Sequence, residues 1–251
     1  KTWRLAKSPA APLLTAIEMV DPKTGWAVGH DSVILATADG GENWVQQFSA
    51  ASEQRPLLDV RFANKERGFA VGAYGAYYET SDGGKSWNAR KVIEDDKHLN
   101  AIVSLAGGVH VILGEAGTIL RTEDAGATWK PVVSPYRGSL FGGVVAEDGA
   151  LVAFGLRGRI FRSTDAARTW KAVENASVST LLGGTRLPDG ALVLAGTGGT
   201  VLLSRDSGLS FVPVVTGVTK AYAKPVLGPP NTLLLLGETG ASEVPLPMHK
   251  K

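Results

Sequence analysis

Short runs of apolar residues, separated by glycine and aspartate, recur along this chain. Five stretches follow one order: small or apolar residues, a glycine, a short turn, an apolar run and a box close to Ser/Thr-x-Asp-x-x-x-Ser/Thr-Trp. They read GWAVGHDSVILATADGGENW, GFAVGAYGAYYETSDGGKSW, VILGEAGTILRTEDAGATW, VAFGLRGRIFRSTDAARTW and VLAGTGGTVLLSRDSGLSF. No stretch sustains the 3.6-residue period of an amphipathic helix, and Val, Ile, Leu and Phe dominate the runs. The pattern therefore predicts β-strands throughout.

A sixth, weaker copy without a box, LLLLGETGASEVPL, ends the series. The reference glycines of the six copies are 43, 42, 41, 41 and 41 residues apart; they are Gly29, Gly72, Gly114, Gly155, Gly196 and Gly237. This period is typical of a four-stranded propeller blade. We therefore predict an all-β, six-bladed β-propeller of four-stranded antiparallel blades. It forms one domain over residues 1–251, with blades near 12–48, 56–91, 98–133, 139–174, 179–214 and 221–246 plus 2–6.

The beginning of the chain supplies the reason for adding residues 2–6 to the last blade. The box aromatic precedes the next reference glycine by 28, 27, 26, 26 and 26 residues, and Trp3 precedes Gly29 by 26. Thr2-Trp3-Arg4-Leu5 therefore resembles the end of a box, which is the part that the sixth copy lacks. We expect this segment to be the outer strand of the last blade, so that the ring closes without an open edge.

The box Ser/Thr-x-Asp-x-Gly-x-x-Trp, preceded by Gly-x-Ala-Val-Gly, resembles the BNR/Asp-box propellers. Among these the chain is most similar to the Ycf48/Hcf136-like photosystem II assembly factors and their relatives in non-photosynthetic bacteria. The resemblance covers essentially the whole chain. It implies a propeller that contacts a protein client through an arginine-rich face. Six copies, against seven blades in the photosynthetic members, favour a non-photosynthetic relative.

The box residues are expected to be structural. An Asp side chain at a turn can accept hydrogen bonds from nearby backbone amides, and the aromatic that follows can cover apolar surface between outer strands. One active site does not need five copies of a carboxylate. The residues concerned are Asp39, Asp82, Asp124, Asp165 and Asp206, with Trp44, Trp87, Trp129 and Trp170. Asp165 is followed by two alanines instead of glycine, so its turn should be the most strained.

In a four-stranded meander the boxes lie at one end of each blade, and the opposite end carries segments that differ between copies. Such variation on a regular scaffold is how propellers present a binding surface. The candidate client-binding residues at this end are Arg137, Arg157, Arg159, Tyr74 and Tyr136. Strand alternation should place Arg157 and Arg159 on one side of the sheet and Arg162 on the other. Arginines there suit carboxylates or an acidic peptide. The alternative is that they are solvated residues paired with neighbouring acids.

Composition excludes several classes of function. The net charge of +2 is too small to indicate nucleic-acid binding, and the absence of cysteine removes disulfides, thiolate metal sites and a cysteine nucleophile. The four histidines show no ligand spacing, so neither metal nor cofactor is expected. No apolar stretch approaches the roughly 20 residues of a membrane helix. The chain begins at Lys1, from which we expect an upstream signal peptide to have been removed and the protein to be periplasmic or otherwise exported.

The first functional hypothesis is an exported, non-catalytic and monomeric protein that holds a protein client, such as a membrane complex or transporter, without catalytic residues of its own. The second is a carbohydrate-binding or degenerate sialidase-like glycosidase propeller. The chain lacks the Phe-Arg-Ile-Pro type of start and the long insertions of sialidases. A third is an interaction scaffold with no dedicated type of client.

Overall fold

The computed structural model describes residues 4–9, 13–217, 219–228 and 232–246. These residues contain 23 β-strands and seven three-residue 3-10 turns, with no α-helix. The strands form six antiparallel sheets in chain order, five of four strands and one of three. The chain is therefore an all-β, six-bladed propeller, as the repeat predicted. No helix in this described part of the chain is long and apolar enough to cross a membrane.

The chain divides into two compact units, Lys1–Ser104 and Leu105–Lys251. The first unit contains two complete sheets and the first strand of the third. Its strands are β1 (Leu14–Met19), β2 (Gly25–Gly29), β3 (Ile34–Thr37), β4 (Val45–Phe48), β5 (Leu57–Phe62), β6 (Gly68–Gly72), β7 (Tyr77–Thr80), β8 (Asn88–Ala89) and β9 (Leu99–Ser104). Aromatic rings fill the space between its two sheets. Trp26 stacks on Phe62 with centroids 3.4 Å apart, and Trp87 meets Phe62 edge-on at 5.8 Å.

The second unit contains the rest of the third sheet and the last three. Its strands are β10 (His110–Gly114), β11 (Ile119–Thr122), β12 (Lys130–Pro131), β13 (Leu140–Val145), β14 (Leu151–Gly155), β15 (Ile160–Ser163), β16 (Lys171–Val173), β17 (Leu181–Arg186), β18 (Leu192–Gly196), β19 (Val201–Ser204), β20 (Val212–Pro213), β21 (Tyr222–Leu227), β22 (Thr232–Gly237) and β23 (Gly240–Pro245). Each sheet is a simple meander of sequential strands. Aliphatic side chains fill the space between sheets four and five, around Phe154 and Leu192.

The reference glycines end the second strand of each sheet, where the first strand begins. In the fourth sheet Gly155 pairs with Leu140, and the register then shifts by one residue. A Cβ on Gly155 would collide with the carbonyl oxygen of Ser139, which is backbone and cannot move aside. The same collision with backbone awaits a side chain at Gly29, Gly72, Gly196 and Gly237. The glycine recurs because the two strands approach too closely for any side chain.

The five boxes form one hydrogen-bonded turn between the third and fourth strands. In the second box, Oδ1 of Asp82 accepts from the Thr80 hydroxyl at 2.8 Å and from the Ser86 N–H at 2.9 Å, and Oδ2 accepts from the Ser86 hydroxyl at 2.6 Å. The Thr80 hydroxyl oxygen in turn accepts from the Gly84 N–H at 2.9 Å. The carboxylates Asp39, Asp124, Asp165 and Asp206 make the equivalent contacts. These contacts use both carboxylate oxygens to fasten the turn.

Hydrogen bonds to the charged form lower the pKa of the box carboxyls. Those from the Asn43 side chain and backbone lower the pKa of Asp39 to about 2, and those from Ser86 do the same for Asp82. At Asp165 burial acts in the opposite direction, but the hydroxyl and N–H of Thr169 outweigh it, and the pKa is again about 2. The boxes therefore stay ionised well below neutral pH.

The fourth box carries the unusual backbone that its missing glycine predicts. Ala166 and Ala167 both lie in the left-handed region, with φ of 56° and 66°. The other boxes have glycine at the second of these two positions. Each left-handed alanine costs roughly 1 kcal/mol relative to glycine. From the preceding blade, Arg121 Nε donates to the Ala166 carbonyl at 2.5 Å and so supports this turn.

The last sheet, β21–β22–β23, has three strands within the described residues. The fourth strand predicted at 2–6 lies partly on residues 1–3, outside the described part, and residues 4–6 form no strand. The Lys7 N–H donates to the Glu42 carbonyl at 3.1 Å, at the first box. From β4, the side-chain amide of Gln47 donates to the Gly83 carbonyl of the second box at 3.1 Å. The N-terminal segment thus approaches the first box as an outer strand approaches the next box. Its pairing with the last sheet stays a prediction.

A side chain at a reference glycine should be far more damaging than one at an ordinary turn glycine. We expect Gly155→Ala to lower the free energy of unfolding by more than about 3 kcal/mol, because its Cβ meets fixed backbone. Gly149→Ala is the control: its φ is +82° but nothing lies within 4 Å, so it should cost only about 1 kcal/mol. Urea unfolding of both variants measures the difference. Equal losses would contradict the close-approach argument.

The box carboxyls should make the fold acid-sensitive only at low pH. Since the pKa of Asp82 falls from its ordinary 3.8 to about 2 on folding, its contribution is present above pH 4 and is lost as the pH falls towards 2. Asp82→Asn is therefore expected to be less stable than wild type at pH 7, with a difference that shrinks between pH 4 and 2. Urea unfolding across this range measures it. Asp96 is exposed and lies outside any box, so Asp96→Asn should change neither the stability at pH 7 nor its dependence on pH. A stability difference between Asp82→Asn and wild type that did not depend on pH would contradict the assignment.

Candidate functional site

The end of each blade opposite its box is formed by the turn between the second and third strands together with the following interblade segment. We call this the tip end. In blade two the Gly75 N–H donates to the Lys97 carbonyl at 2.9 Å. In blade four the Leu156 carbonyl accepts from Tyr136 Oη of the preceding interblade segment at 3.3 Å. These contacts place Tyr74 at the tip end of blade two and Tyr136 between the tip turns of blades three and four.

Each tip turn of the first five blades holds two consecutive residues in the left-handed backbone region. The first residue of each pair, with its φ angle, is Asp31 (59°), Tyr74 (54°), Ala116 (52°), Arg157 (57°) and Gly198 (65°). A non-glycine residue there costs roughly 1 kcal/mol or more. Gly198 shows that the turn forms without a side chain at this position. Tyr74 and Arg157 are thus large side chains held in strained backbone.

Blade four presents two exposed arginines at its tip end. Arg157 lies in the left-handed position of the turn, and Arg159 follows it just before β15. Both line a groove of about 270 Å³ that also contains Asn175 and the exposed Val178. Arg157 is in a turn and not in a strand, so the alternation argument made from the sequence does not apply to it. Its direction is set by the turn.

Arginines at the two ends of blades three to five differ in their partners. Towards the box end, Arg121 pairs with Glu123 at 2.8 Å, Arg205 pairs with Asp189 at 2.9 Å, and Arg162 pairs with Asp148. At the tip ends, Arg137, Arg157 and Arg159 form no ion pair with any residue that the structure describes. The alternative reading of these three as ion-paired surface residues is therefore not supported within the described chain.

Tyr136 and Arg137 are neighbours in one interblade segment, but their side chains differ in burial and contacts. Tyr136 is half-buried: its hydroxyl donates to the Leu156 carbonyl, and its ring centroid lies 5.7 Å from that of Phe161. The hydroxyl oxygen of Tyr136 can still accept a hydrogen bond from a partner. Arg137 is exposed.

Sequence reasoning missed a second groove, at the tip end of blade two. It has a volume of about 350 Å³ and is lined by Tyr74, Tyr77, Tyr78, Arg90 and the acidic loop Glu94–Asp96, together with Glu53 and Arg55. The available signal was the number of residues between the aromatic of a box and the next reference glycine. It is 28 and 27 after the first two boxes and 26 elsewhere. Those extra residues belong to the interblade segments that wall this groove.

No constellation for metal chemistry was found. Within residues 4–9, 13–217, 219–228 and 232–246, no group of three or more His, Asp or Glu side chains is arranged to hold a metal ion.

Comparison with known proteins assigns the chain to a family. The family model described as photosynthesis system II assembly factor YCF48 matches residues 46–211, more than half of the chain. The chain belongs to this family. It is 37% identical to the photosystem II assembly protein Ycf48 of Synechococcus sp. (strain JA-3-3Ab) over 141 residues, 55% of this chain and 42% of the relative. It is 40% identical to the photosystem II assembly lipoprotein Ycf48 of Trichormus variabilis over 153 residues, 60% and 45% of the two chains. It thus spans less than half the length of these curated relatives.

Solved structures with the same fold differ widely in function. A structure described as YCF48 bound to D1 peptide aligns with a TM-score of 0.71 and 22% identity, over 92% of this chain and 76% of that one. A virginiamycin B lyase from Staphylococcus aureus aligns with a TM-score of 0.79 and 14% identity, over 98% and 88%. A GH74 xyloglucanase from Xanthomonas campestris aligns at 0.72 and 13%, over 92% and 44%. At these identities the likeness shows the fold alone.

The strain at the tip of blade four can be measured directly. Arg157→Gly should raise the free energy of unfolding by about 1 kcal/mol, since glycine adopts a φ of 57° without penalty. Arg159→Gly in the same loop is the control: its φ of −70° is ordinary, so glycine there should lower stability by about 0.5–1 kcal/mol. Urea unfolding measures both. Destabilisation by Arg157→Gly would show that the arginine stabilises the fold and is not strained.

Proposed function

We propose that this protein is a non-catalytic assembly-factor-like protein that binds a protein client through the tip ends of its blades. The client is a membrane complex or transporter that offers an acidic segment. Arg157, Arg159 and Arg137 bind its carboxylates, and Tyr74 and Tyr136 supply aromatic contacts. The observation that carries the proposal is a contrast within blades three to five: the arginines towards the box ends that are named above are ion-paired, whereas the three exposed arginines at the tip ends of blades three and four form no ion pair with any described residue.

The chemistry of the arginine suits this role. A guanidinium can donate two parallel hydrogen bonds to one carboxylate, which gives geometric specificity as well as affinity. The backbone of the tip turn is already ordered before a client binds. Arg157 therefore binds at a smaller loss of backbone conformational entropy than an arginine in a flexible loop. Val178, 84% exposed beside the two arginines, offers the apolar contact that a purely ionic surface lacks.

Family membership supports binding over catalysis. The curated relatives are named as assembly proteins, and one solved relative is described as bound to a D1 peptide. The glycosidases and the lyase among the structural neighbours share only the fold with this chain. One relative is named a lipoprotein, which supports an exported location for this protein as well.

The proposal is tested with a fluorescein-labelled, glutamate-rich peptide followed by fluorescence anisotropy. Arg157→Glu/Arg159→Glu is expected to weaken binding at least tenfold, because two charge-assisted contacts become repulsive. Binding to wild type should also weaken as salt is raised.

The matched control is Lys130→Glu/Lys171→Glu, which changes the net charge equally at two exposed lysines away from the tip end of blade four. It should retain most of the affinity. Equal losses in both double variants would mean that the peptide responds to net charge alone, and the tip-end assignment would then be wrong.

A further inference from the structure

The groove at the tip end of blade two is built differently from the arginine groove of blade four. Buried tyrosines line it: Tyr77 donates its hydroxyl to Glu79 at 2.9 Å, and Tyr78 donates its hydroxyl to Glu53 at 3.1 Å. Arg90 lies over the Tyr77 ring, 5.4 Å from the centroid, and pairs with Glu79 at 3.0 Å. A guanidinium on a tyrosine ring is therefore a contact that this blade already uses.

The charges around the groove leave one carboxylate in excess. Arg90 is neutralised by Glu79, and Arg55 lies 4.0 Å from Glu53. The acidic loop then sets three carboxylates against two lysines: Lys91 pairs with Glu94 at 2.6 Å and Lys97 with Asp95 at 2.7 Å. Asp96 is exposed and makes no ion pair within the described residues, and Lys91, which attracts it electrostatically, is already paired with Glu94.

Tyr74 stands at the mouth of this groove in strained backbone. Its side chain is 51% exposed, so burial does not explain why a tyrosine occupies a left-handed position that blade five fills with glycine. The ring meets His98 edge-on at 5.0 Å, which fixes its orientation. What Tyr74 adds to the turn is an oriented aromatic ring that lines the same groove as Asp96.

We propose that the blade-two groove binds a lysine or arginine side chain of the client, which lies on the Tyr74 ring and pairs with Asp96. An aromatic face and a carboxylate together form a cation site, because the ring quadrupole and the negative charge both attract the guest. This inference rests on the proposed function and adds to it a second subsite of opposite charge. The client segment would then carry a basic residue as well as acidic ones.

The probe is a blocked glycine-rich peptide with one arginine, compared with a peptide in which neutral citrulline replaces the arginine. Binding is followed by NMR through the methyl resonances of Ile93, which lines the groove. Wild type should bind the arginine peptide at least threefold more tightly than the citrulline peptide. Tyr74→Gly should weaken the arginine peptide about fivefold while raising Tm by about 2 °C, because glycine relieves the turn. Asp96→Asn should weaken it about threefold.

Two further variants separate the contact from the fold. Ala116→Gly relieves the same strained position in blade three and should raise Tm without changing peptide binding. Tyr74→Phe keeps the π-face and should retain binding. Equal affinity for the two peptides, or unchanged affinity in Tyr74→Gly, would overturn the proposal. The glutamate-rich peptide on the blade-four variants is an independent readout, so failure of the proposed function and failure of this subsite can be told apart.

Discussion

The close approach of the first strand to the end of the second is the constraint on which the rest of each blade depends. It removes the side chain at positions such as Gly155, because a Cβ there would collide with the backbone at Ser139. It also shifts the register of the first strand by one residue after that contact. The tip turn begins directly after this glycine, so the same constraint fixes where the turn residues Arg157 and Tyr74 stand.

The boxes fasten the other end of the blade by a different interaction. Both oxygens of each box carboxylate accept hydrogen bonds within one turn. Nearby arginines form ion pairs with acidic residues of the same or the adjoining blade. At the tip ends the pairing differs between blades: Arg90 in blade two pairs with an acid, whereas Arg157 and Arg159 in blade four form no ion pair with any described residue. The polar groups of the boxes are thus alike from blade to blade, whereas those of the tip ends differ between blades.

Much of the fold could be predicted because a repeat multiplies each local signal. The glycine and box recur at a fixed period, so blade number and strand content followed from spacing alone. The sites were harder to predict. Arg157 was recognised but assigned to an alternating strand. The sequence does not reveal that the backbone at Arg157 adopts the left-handed conformation. The blade-two groove was not predicted because its walls come from segments distant in sequence, around Glu53, Tyr74 and Glu94, which only the folded structure brings together.

The left-handed position of the tip turn also has an evolutionary meaning. Its energetic penalty arises mainly from the backbone, so exchanges among non-glycine residues that are not β-branched should alter the stability of the blade less than an exchange to glycine. Asp31, Tyr74, Ala116 and Arg157 illustrate four chemistries in equivalent turns of a single chain. Different side chains can therefore occupy this position without a change in the fold of the turn. A propeller of this kind can acquire a new recognition pattern one blade at a time, while its core and its boxes remain under unaltered selection.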